Sequence, residues 1–178
     1  MQKCFMMHKD QFTDTQLYEV WDMMCDAGTE KTTFYDGACH DHHSFRDLVR
    51  AEWNDVFFIF YEGKLGMMAW VNDRVHNRAK IHFTTLPQTW GRKRDDVSAA
   101  IKLGRYFVAR MLRETPLDVL VGFTPVRNKL ACKYVQRVGA VPVGVAPYVA
   151  WFEDVQQGEP ALITTITRES TEDEWTAY

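Results

Sequence analysis

Residues 122–144 constrain this chain more than any other stretch, because a strand end, a helix cap and a helix stop fall there at fixed spacing. An apolar run over 117–123, bounded by turn residues, has the length of a buried strand. Pro125 stops it, Asn128 suits a helix cap, and Leu130, Ala131, Tyr134, Val135 and Val138 then repeat at helical spacing. Gly139 ends that helix, and 141–145 opens another strand.

The residues before this unit alternate in the same way. Residues 5–7 suit a short edge strand. A helix from Thr13 or Asp14 to Asp26 carries Leu17, Val20, Trp21 and Met24 on one face, with Gly28 as its stop. A polar connection over 29–43 leads to a helix over 44–52. Residues 56–61, 65–71 and 80–86 read as three successive antiparallel strands, turned at 62–64 and at 72–78. After a loop at 88–94, Asp95 or Asp96 caps a long helix to Arg113 whose buried stripe is Val97, Ala100, Ile101, Gly104, Val108, Met111 and Leu112. Beyond 122–144, strands over 141–154 and 161–168 are joined through 156–160. The expected architecture is one α/β (α+β) domain over 1–168, a mixed and mostly antiparallel sheet of about seven strands flanked by about four helices, with a frayed acidic tail at 169–178.

Composition narrows the function classes. A chain of 178 residues with 46% apolar and 25% charged content reads as one globular domain. Its net charge of −3 gives no general attraction to nucleic acid. No apolar run approaches the roughly 20 residues of a membrane helix, and no signal-peptide pattern opens the chain, so a cytoplasmic protein is expected. Cys4, Cys25, Cys39 and Cys132 are scattered and read as reduced thiols; Cys132, inside the helix after Asn128, reads as a packed residue in preference to a nucleophile. Cys39, His40, Asp41, His42 and His43 allow two readings, a transition-metal cluster or a capped turn into the next helix. Without a second ligand pair elsewhere the turn is favoured and no metal is expected.

The order of these elements, with Asn128-x-x-Ala131 and then Gly139, resembles the GCN5-related N-acetyltransferase (GNAT) superfamily over most of the chain from about 56 to 168. Where that family places a tyrosine that serves as acid, this chain has Val135. Its Tyr134 lies one residue early, a rotation of roughly 100° on a helix. Ala140 replaces the family's Phe after the Gly. Val138 to Val141, the early aromatic and the altered phosphate loop also look similar to degenerate GNAT-like proteins of tailed phages. That likeness implies a second function: a catalytically lapsed structural, internal virion or interaction protein, located in host cytoplasm or virion.

The resemblance implies acetyl-CoA as co-substrate and an unidentified small-molecule or peptide amine as acceptor, reached under segments near 29–55. Backbone groups from His82 through Phe83, Thr84, Thr85 and Leu86 would pair with pantetheine, and Asn128 and Ala131 would touch the cofactor's arm. The pyrophosphate would rest on the loop of Gln88, Trp90, Gly91, Arg92, Lys93 and Arg94. That loop aligns with the family's glycine-rich pattern in either of two registers, with Lys93 where the second Gly belongs in one and Trp90 where an Arg or Gln stands in the other. Its three cations suit a polyphosphate, whereas Asp95 and Asp96 would oppose one. His82, titrating near neutrality, is the candidate base, its alternative being a solvent-facing strand histidine. Tyr134 is the one nearby phenol, acid or packing residue. The C-terminal strand pair offers an edge at which a second copy can pair.

Overall fold

The computed structural model describes residues 4–90 and 98–171. Twelve principal elements follow one another: β1 (Cys4–His8), α1 (Asp14–Ala27), α2 (Glu30–Thr33), α3 (His42–Arg50), β2 (Asp55–Tyr61), β3 (Lys64–Val75), β4 (Arg78–Thr85), α4 (Ala99–Glu114), β5 (Val119–Pro125), α5 (Lys129–Arg137), β6 (Val141–Phe152) and β7 (Gln157–Thr167). They build one seven-stranded sheet in the order β1-β2-β3-β4-β5-β7-β6. Every neighbouring pair is antiparallel except β4 and β5.

Local chemistry explains the boundaries. Thr13 caps α1 through a reciprocal box with Gln16, and Gly28 closes it in the left-handed region at φ 66°. Glu62 and Gly63 both have positive φ, 50° and 81°, the backbone of a tight hairpin turn matched to strand twist.

Two cores cover the two faces of the sheet. Ile59, Met67, Ile81 and Leu120 pack against Phe107, Met111 and Leu112 of α4 and Val138 just after α5. On the other face Phe58, Met68 and Trp70 meet Leu17, Trp21 and Met24 of α1 and Phe45 and Val49 of α3. A small third cluster joins Ala150, Phe152 and Ala161 to Tyr35, tying the β6–β7 hairpin to the loop after α2.

Five expectations change. The third helix starts at His42 because Asp41 caps it and Ser44 is the third residue of its capping box. β3 runs on to Val75, since Asn72 still pairs with Lys80 and Val75 with Arg78, so the turn shrinks to His76 and Asn77. α4 begins at Ala99, after an extended Ser98 with ψ 147°; Asp95, Asp96 and Val97 lie outside the described residues. The final hairpin turns at 153–156, where Gln156 takes φ 51°, and residues 157–160 belong to β7. Pro160 fits that strand because only its carbonyl is used, accepting from Val126 N at 2.9 Å. Leu130, one of the apolar residues at helical spacing on α5, is 81% exposed. Beyond the 3₁₀ turn Glu169–Thr171, the expected tail lies outside the described residues.

Lys9 is a buried lysine that sequence reading passed over. Its Nζ donates to Ala51 O and Asn54 O, each at 2.7 Å, and Arg50 donates to Lys9 O at 3.1 Å. Lys9→Met keeps the stem and strands two carbonyls, so it is expected to lower unfolding free energy by roughly 2 kcal/mol, read as a lower urea midpoint at unchanged slope.

Candidate active site

β4 and β5 are paired only over Arg78–Lys80 and Val119–Val121. Beyond Lys80 the two strands have no shared register, so the β5-facing N–H and C=O groups of β4 lack a strand partner among the described residues. Side-chain alternation decides what this gap connects. Ile81 and Phe83 face α4, Phe83 lying 6.0 Å from Phe107 and 5.9 Å from Tyr134 between ring centroids. His82 and Thr84 face the other way, His82 stacked on Trp70 at 4.5 Å and Thr84 accepting from the Thr33 hydroxyl at 2.9 Å. A cavity of about 630 Å³ is lined by residues of both faces, Trp70 and His82 on one and Phe83 and Tyr134 on the other. It therefore passes through the sheet at the divergence.

A second cleft of about 1100 Å³ lies along the α4 side, between α4, α5, the end of β4 and the α1–α2 turn. The two share Thr32, Thr33, Phe83, Asn128, Ala131 and Tyr134, so they are continuous. Arg105, Lys133 and Arg137 add cations to the cleft wall. Arg105 is held there by two bonds to Arg137 O, at 3.1 and 3.0 Å.

The expected site residues divide between these spaces. His82 lines the cavity, Phe83 both spaces, and Thr84 and Thr85 the cleft. Trp90 lines the cleft as well, its indole donating to Thr85 Oγ1 at 2.8 Å. Asn128 caps α5 by accepting from Ala131 N at 3.0 Å, and both line both spaces. Leu86 and Gln88 line neither. Leu86 is buried under α1 and α3 with its N–H on Gly66 O, and the Gln88 side chain donates to Leu65 O. Gly91, Arg92, Lys93 and Arg94 lie outside the described residues.

Two groups have altered acidity. Burial, and then the nearby charge of Lys80, lower the His82 pKa from 6.5 to about 3, so the ring is neutral at physiological pH. Burial pushes the Tyr134 phenol above its ordinary value, and its hydroxyl donates to Ala100 O at 3.1 Å. At Cys39 burial, reinforced by Asp36 and Asp41, raises the thiol to about 12. His42 pairs with Asp22 at 2.8 Å, Asp41 caps α3, and no group of three or more metal-ligating side chains occurs among the described residues.

The His82 shift has a consequence for stability. Between pH 6.5 and 3 the unfolded imidazole binds a proton that the folded one refuses, so stability falls as pH falls. From pH 7 to pH 5 this contributes a loss of up to about 2 kcal/mol. The difference between wild type and His82→Gln in urea titrations at the two pH values measures it.

Sequence reading missed Asn72, Asn54, Trp70 and the cations of the cleft. Trp70 was discoverable, since it sits on an expected strand of the meander opposite His82, whereas Asn72 fell in the expected turn and shows its place only through the register Asn72↔Lys80. Lys133 and Arg137 stand four apart on one helix and share a face.

The overall chain trace carries the same message as the splay. It superposes on spermidine N-acetyltransferase from Vibrio cholerae, solved with CoA and spermine, with a TM-score of 0.73 over 95% of this chain and 98% of that one at 10% identity. The fold is that of the GNAT superfamily. A ribosomal L7/L12 α-N-protein acetyltransferase solved with coenzyme A shares this GNAT fold at TM-score 0.75, 8% identity and 96% and 97% coverage. The microcin C7 self-immunity acetyltransferase, solved with acetyl-CoA and AMP, shares it at 0.72, 12% identity and 94% and 93% coverage. No family model matches the sequence, and no curated protein does either.

Proposed function

We propose that this chain transfers the acetyl group of acetyl-CoA to a primary amine. The observation that carries the reading is the cavity through the sheet, with the neutral His82 ring on one face and a cation-walled cleft continuous with it on the other. Solved structures sharing the fold hold CoA or acetyl-CoA, which supports the same co-substrate here.

Arg105, Lys133 and Arg137 suit the phosphates of CoA, and the cleft leads from them past Ala131 and Asn128 to the unpaired edge of β4. Backbone N–H groups on that edge suit the amides of pantetheine and the thioester carbonyl, where developing negative charge needs a donor. The acceptor enters from the face of Trp70 and His82. Its nitrogen attacks the carbonyl carbon, the C–S bond breaks, and the proton that the nitrogen sheds after attack passes by way of the Nδ1 lone pair of His82, a weak base at its lowered pKa, to the departing thiolate. Tyr134 forms the wall between cavity and cleft. Its proton is engaged with Ala100 O and its acidity is lowered by burial, so its role is packing.

Incubation with acetyl-CoA and a panel of primary amines tests the reading. Free thiol is expected only when protein, acetyl-CoA and amine are all present. Absence of amine-dependent release alongside CoA binding would instead fit a protein that keeps the fold without the reaction. Lys133→Glu and Arg137→Glu are each expected to weaken acetyl-CoA binding about 3- to 10-fold, with a shallower salt dependence, since both side chains are exposed.

A further inference from the structure

His82 is the last of a chain of three side chains whose hydrogen-bond direction is set at the far end. Asn54, 4% exposed, donates through Nδ2 to the backbone carbonyl of Leu48 at 2.8 Å. A carbonyl only accepts, so the amide of Asn54 must present its nitrogen there and its oxygen on the other side. That oxygen accepts from Asn72 Nδ2 at 3.1 Å, which turns Asn72 Oδ1 towards His82 Nε2 at 3.0 Å. Asn72 Oδ1 also only accepts. We infer that Asn72, oriented by Asn54, is a positioning residue that fixes His82 with its proton on Nε2 and its lone pair on Nδ1, the atom that meets the acceptor amine.

Three further observations hold the arrangement in place. The His82 ring lies parallel to Trp70, with an interplanar angle of 1°, so it cannot turn freely. Lys9 Nζ and the bond from Asn54 N to Ala51 O, 3.1 Å, fix the Asn54 backbone. Nδ1 has no hydrogen-bond partner among the described residues, so the network leaves one ring nitrogen for chemistry. An asparagine relay differs from a carboxylate in one respect: it selects the tautomer without stabilising the imidazolium.

The charged side chains lining the cavity with His82 are Lys80 on β4, Asp73 on β3 and Asp36 after α2; β5 and β6 contribute none. Replacing Asn72 by Asp puts a carboxylate against Nε2 and is expected to raise the titration of His82 by about 1–3 pH units. Asn72→Leu removes the acceptor and is expected to give a mixture of tautomers, with kcat lowered about 10-fold and KM for acetyl-CoA unchanged.

This inference rests on the transferase reading for its consequence, but its test does not need turnover. Long-range proton–nitrogen correlation spectra of the ¹⁵N-labelled full chain, with His82 assigned by its loss in His82→Gln, report tautomer and protonation directly. The expected result is the Nε2–H form from pH 8 to about 4 in wild type and, in Asn72→Asp, an imidazolium that already forms between about pH 6 and 4. A wild-type ring protonated on Nδ1, an even tautomer mixture, or an Asn72→Asp ring whose titration does not move would overturn it. A clean Nε2–H spectrum in a chain that releases no thiol would strike the transferase reading alone.

Discussion

His82→Gln is expected to lower amine-dependent acetyl transfer by about 10- to 100-fold, less than the usual contribution of a positioned proton acceptor because the pKa of His82 lies well below the working pH. Glutamine is close in size and its amide can still donate to Asn72 Oδ1, so the change removes the Nδ1 lone pair and little else. Acetyl-CoA affinity should remain within about 3-fold, because the cations proposed to hold the phosphates, Arg105, Lys133 and Arg137, line the cleft on the α4–α5 side of the sheet and His82 faces the other. A loss in kcat at nearly constant cofactor affinity separates proton transfer from binding. Equal loss in both would place His82 among the packing residues. The same variant removes the acid-side decline in stability attached to His82, so one substitution tests the ring's charge state in two independent ways.

Gly104→Leu is expected to weaken acetyl-CoA binding at least about 30-fold and to lower stability by roughly 3 kcal/mol. Gly104 faces Tyr134 of α5 and Val138 just after it at close range: a Cβ there would stand 2.4 Å from Tyr134 Oη and 2.7 Å from Val138 Cγ2. A leucine must therefore move α5 or drive the Tyr134 ring into the cleft it shares with Asn128 and Ala131. The smaller Gly104→Ala is the diagnostic partner. Tyr134→Phe removes the nearest atom, so Gly104→Ala should be less harmful in that background than alone, a coupling read from thermal midpoints of the four proteins in the cycle. Additive effects would mean that α4 and α5 are not in the contact described.

The fold was largely legible in the sequence because its signals are local. Asn128 caps α5 as expected, Gly28 and Gly63 adopt the left-handed backbone that their positions imply, and the three-strand meander precedes the long helix. Boundaries slipped where one residue type has two physical uses. Pro160 looked like a turn and proved to be a strand residue whose missing N–H is not needed, and Asn72 looked like a turn and proved to be a paired strand residue.

The site was only half legible for a related reason. His82 and Asn128, which both line the cavity, were singled out because each sits on an element that a motif identifies. Asn54 and Asn72 became visible only once β3 and β4 were in register, and Lys9 only once the chain before α1 was laid against the loop after α3. Leu130 illustrates the reverse failure. Its helical spacing suggested burial, yet the face it occupies is at the cleft rim, where an apolar side chain is left open to solvent. Spacing reports which residues share a face, not what that face meets.

Calorimetric titration of the full chain with acetyl-CoA tests the central claim most directly, since every further step needs the cofactor in the cleft beside β4. The expected result is saturable binding of one molecule per chain, tighter than about 1 mM, competed by CoA and weakened by Lys133→Glu or Arg137→Glu. No saturable heat at millimolar acetyl-CoA from folded protein would contradict it.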